Sequence, residues 1–179
     1  ITGPVLSTKF SSIISMNQVS FKYLFTRQKQ QQVLIAIMMK ISHYIFITNV
    51  HFENVLMPGI NMQQQNMIKF YNVTYTDSLC PLYIVLQKLS YHQPLSLSKT
   101  VFRNCSCKGH GVLDILFHSK SKILDFGSKY HVDLVIVNTI FTRCYSNNNA
   151  GGLIVKASDR QGTNNLNVSI LIANCSFFN

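Results

Sequence analysis

An aromatic residue closes the same short pattern six times along this chain, at Phe21, Phe52, Tyr75, Phe102, Phe141 and Phe177. The copies read ISMNQVSFKYL (14–24), IFITNVHFENV (45–55), IKFYNVTYTDS (68–78), LSLSKTVFRNC (95–105), LVIVNTIFTRC (134–144) and ILIANCSFFN (170–179). Apolar residues stand seven and five places before the anchor, as Ile45/Ile47, Ile68/Phe70, Leu95/Leu97, Leu134/Ile136 and Ile170/Ile172. A period of two marks a strand with one buried face. Three places before the anchor comes Gln18, Asn49, Asn72, Lys99, Asn138 or Asn174. Asparagine tolerates left-handed backbone angles and suits a tight bend between strands. Val19, Val50, Val73, Thr100, Thr139 or Cys175 follows that bend, so each copy reads as strand, corner, strand.

A third strand is expected after each anchor, with candidates at Val33–Met39, Leu82–Leu86, Val112–Phe117 and Leu153–Ala157. Gly111 opens one of these and Gly151-Gly152 another, as a sharp re-entry into a strand favours. No third strand is legible between Phe52 and Asn72, where MPGINMQQQ (57–65) intervenes. The anchors are separated by 31, 23, 27, 39 and 36 residues. Three short strands per repeat with elastic insertions predict an all-β chain. The expected architecture is a single-stranded parallel β-helix, a solenoid of about six rungs with an Asn-rich corner.

On these residues the chain resembles the right-handed parallel β-helix proteins of the pectate-lyase-like superfamily, in which an Asn ladder marks the tight second turn. More narrowly it is similar to the repeat-rich surface proteins of that superfamily, the polymorphic outer-membrane adhesins and the β-helix proteins of invertebrates such as sponges. Those carry Phe-x-x-Asn and Gly-Gly-Ala-Ile/Leu repeats. Here Phe52-Glu53-Asn54 and Phe102-Arg103-Asn104 are one residue short, and Gly151-Gly152-Leu153-Ile154 lacks the Ala. The likeness spans nearly the whole chain and implies a right-handed coil displayed outside the cell.

The repeat makes residues 1–179 one domain rather than several. The sequence opens on Ile1 and its last copy stops at Asn179, where the next bend would begin, so the expectation is a piece of a longer solenoid. No apolar run approaches the ~18 residues that span a bilayer, so no transmembrane segment is expected in this stretch; VLIAIMM (33–39) reads as a buried strand. Lys and Arg outnumber Asp and Glu by 16 to 6, a net charge of +10 that attracts polyanions. The basic residues are scattered except for Lys120, Lys122 and Lys129, a candidate polyanion contact in the loop 118–133, which with 158–167 protrudes after a third strand. The plainer reading of those lysines is a solvated loop. The anchoring aromatics face the core by period, so no specific nucleic-acid binding is expected.

Four Asn-x-Ser/Thr sequons begin at Asn72, Asn104, Asn167 and Asn174, glycan acceptors if the chain is secreted. Asn72 and Asn174 occupy the corner, where a ladder uses the side chain itself, which leaves Asn104 and Asn167 as the better candidates. Of five cysteines, Cys80 and Cys107 lie five places after neighbouring anchors, and Cys105 and Cys144 three places after theirs. Stacked positions are ~4.8 Å apart, within a disulfide's reach. The spacing allows bridges Cys80–Cys107 and Cys105–Cys144, with Cys175 unpaired. It equally allows a column of buried free thiols.

Glycoside hydrolysis needs two carboxylates across one bond. The six acids, Glu53, Asp77, Asp114, Asp125, Asp133 and Asp159, fall in different rungs. Gly109-His110-Gly111 matches the Gly-His-Gly of polygalacturonases, yet their Asn-Thr-Asp strand, Asp-Asp pair and Arg-Ile-Lys are missing. His110 therefore reads as a bend residue without catalytic company, and Asp114 as a lone, satisfied surface carboxylate. No metal or cofactor motif is visible. The expected function is non-catalytic: an extracellular or cell-surface module for structure, adhesion or contact with acidic glycans or other surface proteins. The alternative is a partial or degenerate polysaccharide lyase or hydrolase whose catalytic rungs lie outside residues 1–179.

Overall fold

A computed structural model of the chain describes residues 6–22, 37–55, 60–62, 65–79, 82–87, 92–119, 130–147, 151–159 and 166–178. Among them there is no helix. The first three copies supply β1 (Leu6–Asn17), β2 (Ser20–Lys22), β3 (Ile37–Glu53), β4 (Ile60–Met62), β5 (Gln65–Thr76) and β6 (Leu82–Gln87). The fourth supplies β7 (His92–Ser98), β8 (Val101–Arg103), β9 (Ser106–Cys107) and β10 (Leu113–Ser119). The fifth supplies β11 (Tyr130–Val137), β12 (Ile140–Thr142), β13 (Tyr145–Ser146) and β14 (Leu153–Asp159), and the last β15 (Leu166–Ala173) and β16 (Ser176–Phe178). Every pairing between these strands is parallel.

The protein is thus all-β with parallel sheets, and the register follows the repeat. Ile14, Ile45, Ile68, Leu95, Leu134 and Ile170 are successive register partners. So are the six anchors, from Phe21 through Phe177. Their rings stack as one column, with centroids 4.7–5.0 Å apart and planes within 6° of parallel. That step is the strand spacing of a sheet, ~4.8 Å, so one ring per strand stacks without a gap. Ile45, Ile47, Ile68, Phe70, Leu95, Leu97, Leu134 and Ile136 are fully buried beside this column. In the last copy the equivalent Ile170 and Ile172 are exposed.

Left-handed backbone recurs at one position in all six copies and at a second in the four copies where that residue is described. The first is the predicted corner: Gln18, Asn49, Asn72, Lys99, Asn138 and Asn174 have φ of 51–56°. Two residues past the anchor a second corner holds Asn54, Asp77, Asn104 and Arg143 at 49–52°. The sequences Phe52-Glu53-Asn54 and Phe102-Arg103-Asn104, read above as shortened family motifs, are this second bend. The bends cost no backbone hydrogen bond: Asn138 N–H still reaches Ala173 O at 3.1 Å and Asn104 N–H reaches Thr142 O at 2.9 Å. Side chains bridge copies as well, Asn72 Nδ2 donating to Asn49 Oδ1 (2.8 Å) and Asn49 Nδ2 to Asn17 Oδ1 (3.0 Å). At Lys99 the Asn run is interrupted, and its Nζ donates instead to Tyr71 Oη at 2.9 Å.

Three of the predicted third strands are found as β6, β10 and β14, which form their own sheet in the order β14–β10–β6. Of the fourth, Val33–Met39, residues 37–39 are strand: they pair with β1 and β4, and β4 packs against β6, so they lie in line with the other third strands but run on into the rest of β3. The β-branched and aromatic run from Ile37 sustains a strand of 17 residues that passes through the Asn49 corner without a break. Residues 33–36 lie outside the described part. MPGINMQQQ contains a strand after all, β4, paired with Ile37–Met39. Glycines open the third strands because of close approach rather than positive φ. A Cβ at Gly151 would lie 2.5 Å from Cys144 O, and one at Gly111 would lie 2.9 Å from Ile154 Cγ1.

Candidate functional site

Alternation along β10 sends Leu113, Ile115 and Phe117 into the core and Asp114 and Leu116 to the outer face. Asp114 is nonetheless only 2% exposed. The bend that enters β10 turns back over it: Gly109 adopts φ +82°, and His110 Nδ1 comes to 2.7 Å from Asp114 Oδ2. A carboxylate accepts, so Nδ1 carries the proton. Tyr83, the register partner of Asp114 on β6, sets its ring 5.5 Å from the imidazole at an interplanar angle of 58°. Burial, then the charge of Asp114, push the Tyr83 phenol upward. This corrects the sequence reading on two residues. His110 does stand in the bend before the third strand, yet it has a carboxylate partner, and Asp114 is buried rather than a surface acid. Their four-residue separation pairs them only because the glycine-bounded bend reverses, a contact that no periodicity announces.

Glu53, Asp77 and Asp133 are also engaged. Lys22 Nζ meets Glu53 at 3.0 Å, Asn104 Nδ2 donates to Asp77 Oδ1 at 3.0 Å, and His131 Nε2 lies 2.9 Å from Asp133 Oδ1. No two of Glu53, Asp77, Asp114 and Asp133 oppose each other in the strand register. Among the described residues no group of three or more His, Cys, Asp or Glu could hold a metal ion. By contrast Lys69, Arg103, Lys108, Arg143 and Lys156 are exposed and form no ion pair among the described residues. Lys120, Lys122 and Lys129 lie outside them, as does the body of their loop.

The cysteines divide by position. Cys107 is disulfide-bonded; Cys80, its predicted partner, lies outside the described residues. Cys105, Cys144 and Cys175 are free thiols, so the Cys105–Cys144 bridge is corrected. Each thiol turns back to the carbonyl two residues earlier: Cys105 to Arg103 O (3.4 Å), Cys144 to Thr142 O (3.5 Å) and Cys175 to Ala173 O (3.4 Å). Ser78 and Thr139 make the same bond at 2.9 and 3.2 Å. The thiols thus occupy hydroxyl positions just after a corner. A hydrogen bond with Cys144, then burial, push the Cys105 thiol up; the same hydrogen bond draws Cys144 down. Cys144 also borders a depression of about 340 Å³ with Asn104, Arg143 and Tyr145.

Among the sequons, Asn72, Asn104 and Asn174 are all left-handed corner residues. Asn104 spends its amide on Asp77 much as Asn72 spends its own on Asn49. Asn167, exposed on β15, is the acceptor candidate away from a corner. No helix among the described residues is long and apolar enough to cross a membrane. Comparison of the chain with protein-family models, with curated proteins and with solved structures finds no match.

Proposed function

We propose that this chain is a right-handed parallel β-helix of about six turns that serves as a non-catalytic extracellular or cell-surface module and contacts acidic glycans through its basic exterior. The observation that carries the reading is electrostatic. Glu53 is paired with Lys22, and Asp77, Asp114 and Asp133 each have a side-chain N–H partner in Asn104, His110 and His131. Lys69, Arg103, Lys108, Arg143 and Lys156, by contrast, are exposed and form no ion pair among the described residues. On a chain of net charge +10 such cations draw polyanions. The parallel register and the two corner columns support the coil, and a disulfide at Cys107 suits an oxidising compartment.

The test is a glycan-array screen at low and physiological salt, with depolymerisation products assayed alongside. Binding of sulfated or carboxylated glycans that weakens with salt is the expected result. Release of reducing or unsaturated ends would replace this reading with an enzymatic one.

A further inference from the structure

We propose that Tyr83, His110 and Asp114, on the outer face of the β6–β10–β14 sheet, form a subsite for one sugar unit bearing an anionic substituent, with Lys156 as the cation that meets it. The inference deepens the glycan-binding reading above and rests on it. A carboxylate withdrawn from water is costly unless hydrogen-bonded, and Asp114 at 2% exposure accepts a hydrogen bond from His110. What this fixes is the imidazole. Nδ1 is committed to Asp114 at 2.7 Å, while the side chain remains 50% exposed. Nε2 has no protein partner among the described residues. A locked ring with one free nitrogen is an orienting group, ready to accept a hydroxyl. Holding the bend onto the sheet would need only the Nδ1 contact.

The surroundings suit a saccharide. The Tyr83 ring, tilted beside the imidazole, offers a face for the C–H side of a pyranose, and Leu116 and Ile154 continue the outer face. Lys156 shares that face, opposite Leu116, two residues along and one strand across from Asp114. From strand spacing and rise, its Cα lies roughly 8 Å from that of Asp114. A hydroxyl on Nε2 and a sulfate or carboxylate on the ammonium would therefore come from the same sugar unit.

The native protein tests this directly. Carbethoxylation by diethyl pyrocarbonate, mapped by mass spectrometry, is followed with a sulfated heparin-derived hexasaccharide, a carboxylated hyaluronan hexasaccharide or neutral maltohexaose present. One acidic hexasaccharide should slow modification of His110 severalfold without protecting His51 or His131, and which one does so identifies the anion. His110→Gln and Tyr83→Leu should each weaken its binding about tenfold or more, whereas Ser15→Ala, exposed on β1 away from this sheet, should change it about twofold or less. Binding that leaves His110 reactive would overturn the subsite and leave the glycan-binding module standing. Equal protection by maltohexaose would overturn the anionic assignment, and failure to bind either acidic oligosaccharide would overturn both readings. If a variant fails to fold, protection of the native chain decides.

Discussion

Tyr75 is the one phenol in a column otherwise made of phenylalanine, and its Oη is buried without a hydrogen-bond partner among the described residues. An orphaned hydroxyl in a dry interior is destabilising, so Tyr75→Phe should raise stability by about 1 kcal/mol in urea unfolding. A loss of that size would mean the hydroxyl is bonded. Burial, then the charge of Cys105, hold the Tyr75 phenol well above its ordinary value of 10.0. Above pH 10 the unfolded chain therefore releases this proton first. It then binds fewer protons than the folded chain, and stability falls as pH rises toward the raised value. The advantage of Tyr75→Phe should accordingly grow between pH 8 and pH 10.5; an advantage independent of pH would place the phenol in contact with water. At this scale the sequence was legible where chemistry repeats. The anchors and first corners stood out because an aromatic and an Asn recur. The hydroxyl-like role of Cys105 and Cys144 did not, because a Cys in place of a Ser reads first as a bridge or a buried hydrophobe.

The ladders carry most of the energetics at the level of elements. Phe102 and Phe141 are 0% and 1% exposed and each stacks on two rings, so truncation of either to Ala should cost ~3–5 kcal/mol. An effect below about 1 kcal/mol would show that neighbouring copies collapse into the gap. The first corner column makes the opposite prediction at Lys99. Asn there would accept left-handed backbone more readily and lie between Asn72 and Asn138. Lys99→Asn should therefore stabilise by about 0.5 kcal/mol despite losing Tyr71, and a destabilised variant would assign that position to the Lys99–Tyr71 contact. The entry to β14 is less forgiving. Gly151→Ala puts a methyl against the Cys144 carbonyl and should cost about 1–3 kcal/mol. The sequence was weaker on elements than on anchors. The second corner was hidden because Asn54 and Asn104 read as parts of shortened Phe-x-x-Asn motifs and Arg143 breaks the Asn/Asp run at the same backbone state. The continuation of Val33–Met39 into the rest of β3 was not legible, because an apolar run has no internal mark to say where one strand passes into the next. The His110–Asp114 pair was missed because its distance depends on one bend.

Across the whole molecule, strand pairing joins only neighbouring copies, so the core is assembled by repetition along one direction. Protection from hydrogen exchange should be greatest in the middle, over β5, β7, β8 and β10, and lower in β15 and β16, where Ile170, Ile172 and Phe177 are half exposed. Uniform protection from β1 to β16 would indicate unfolding as a single block. The ring column has a separate bearing on the chain's history. Between successive anchors the chain runs for as few as 23 and as many as 39 residues, while the rings remain 4.7–5.0 Å apart. Contour length and spatial step are decoupled. Insertions and deletions between strands can accumulate over generations without shifting the interior, and whatever the loops display stays mounted at a constant pitch while its content drifts.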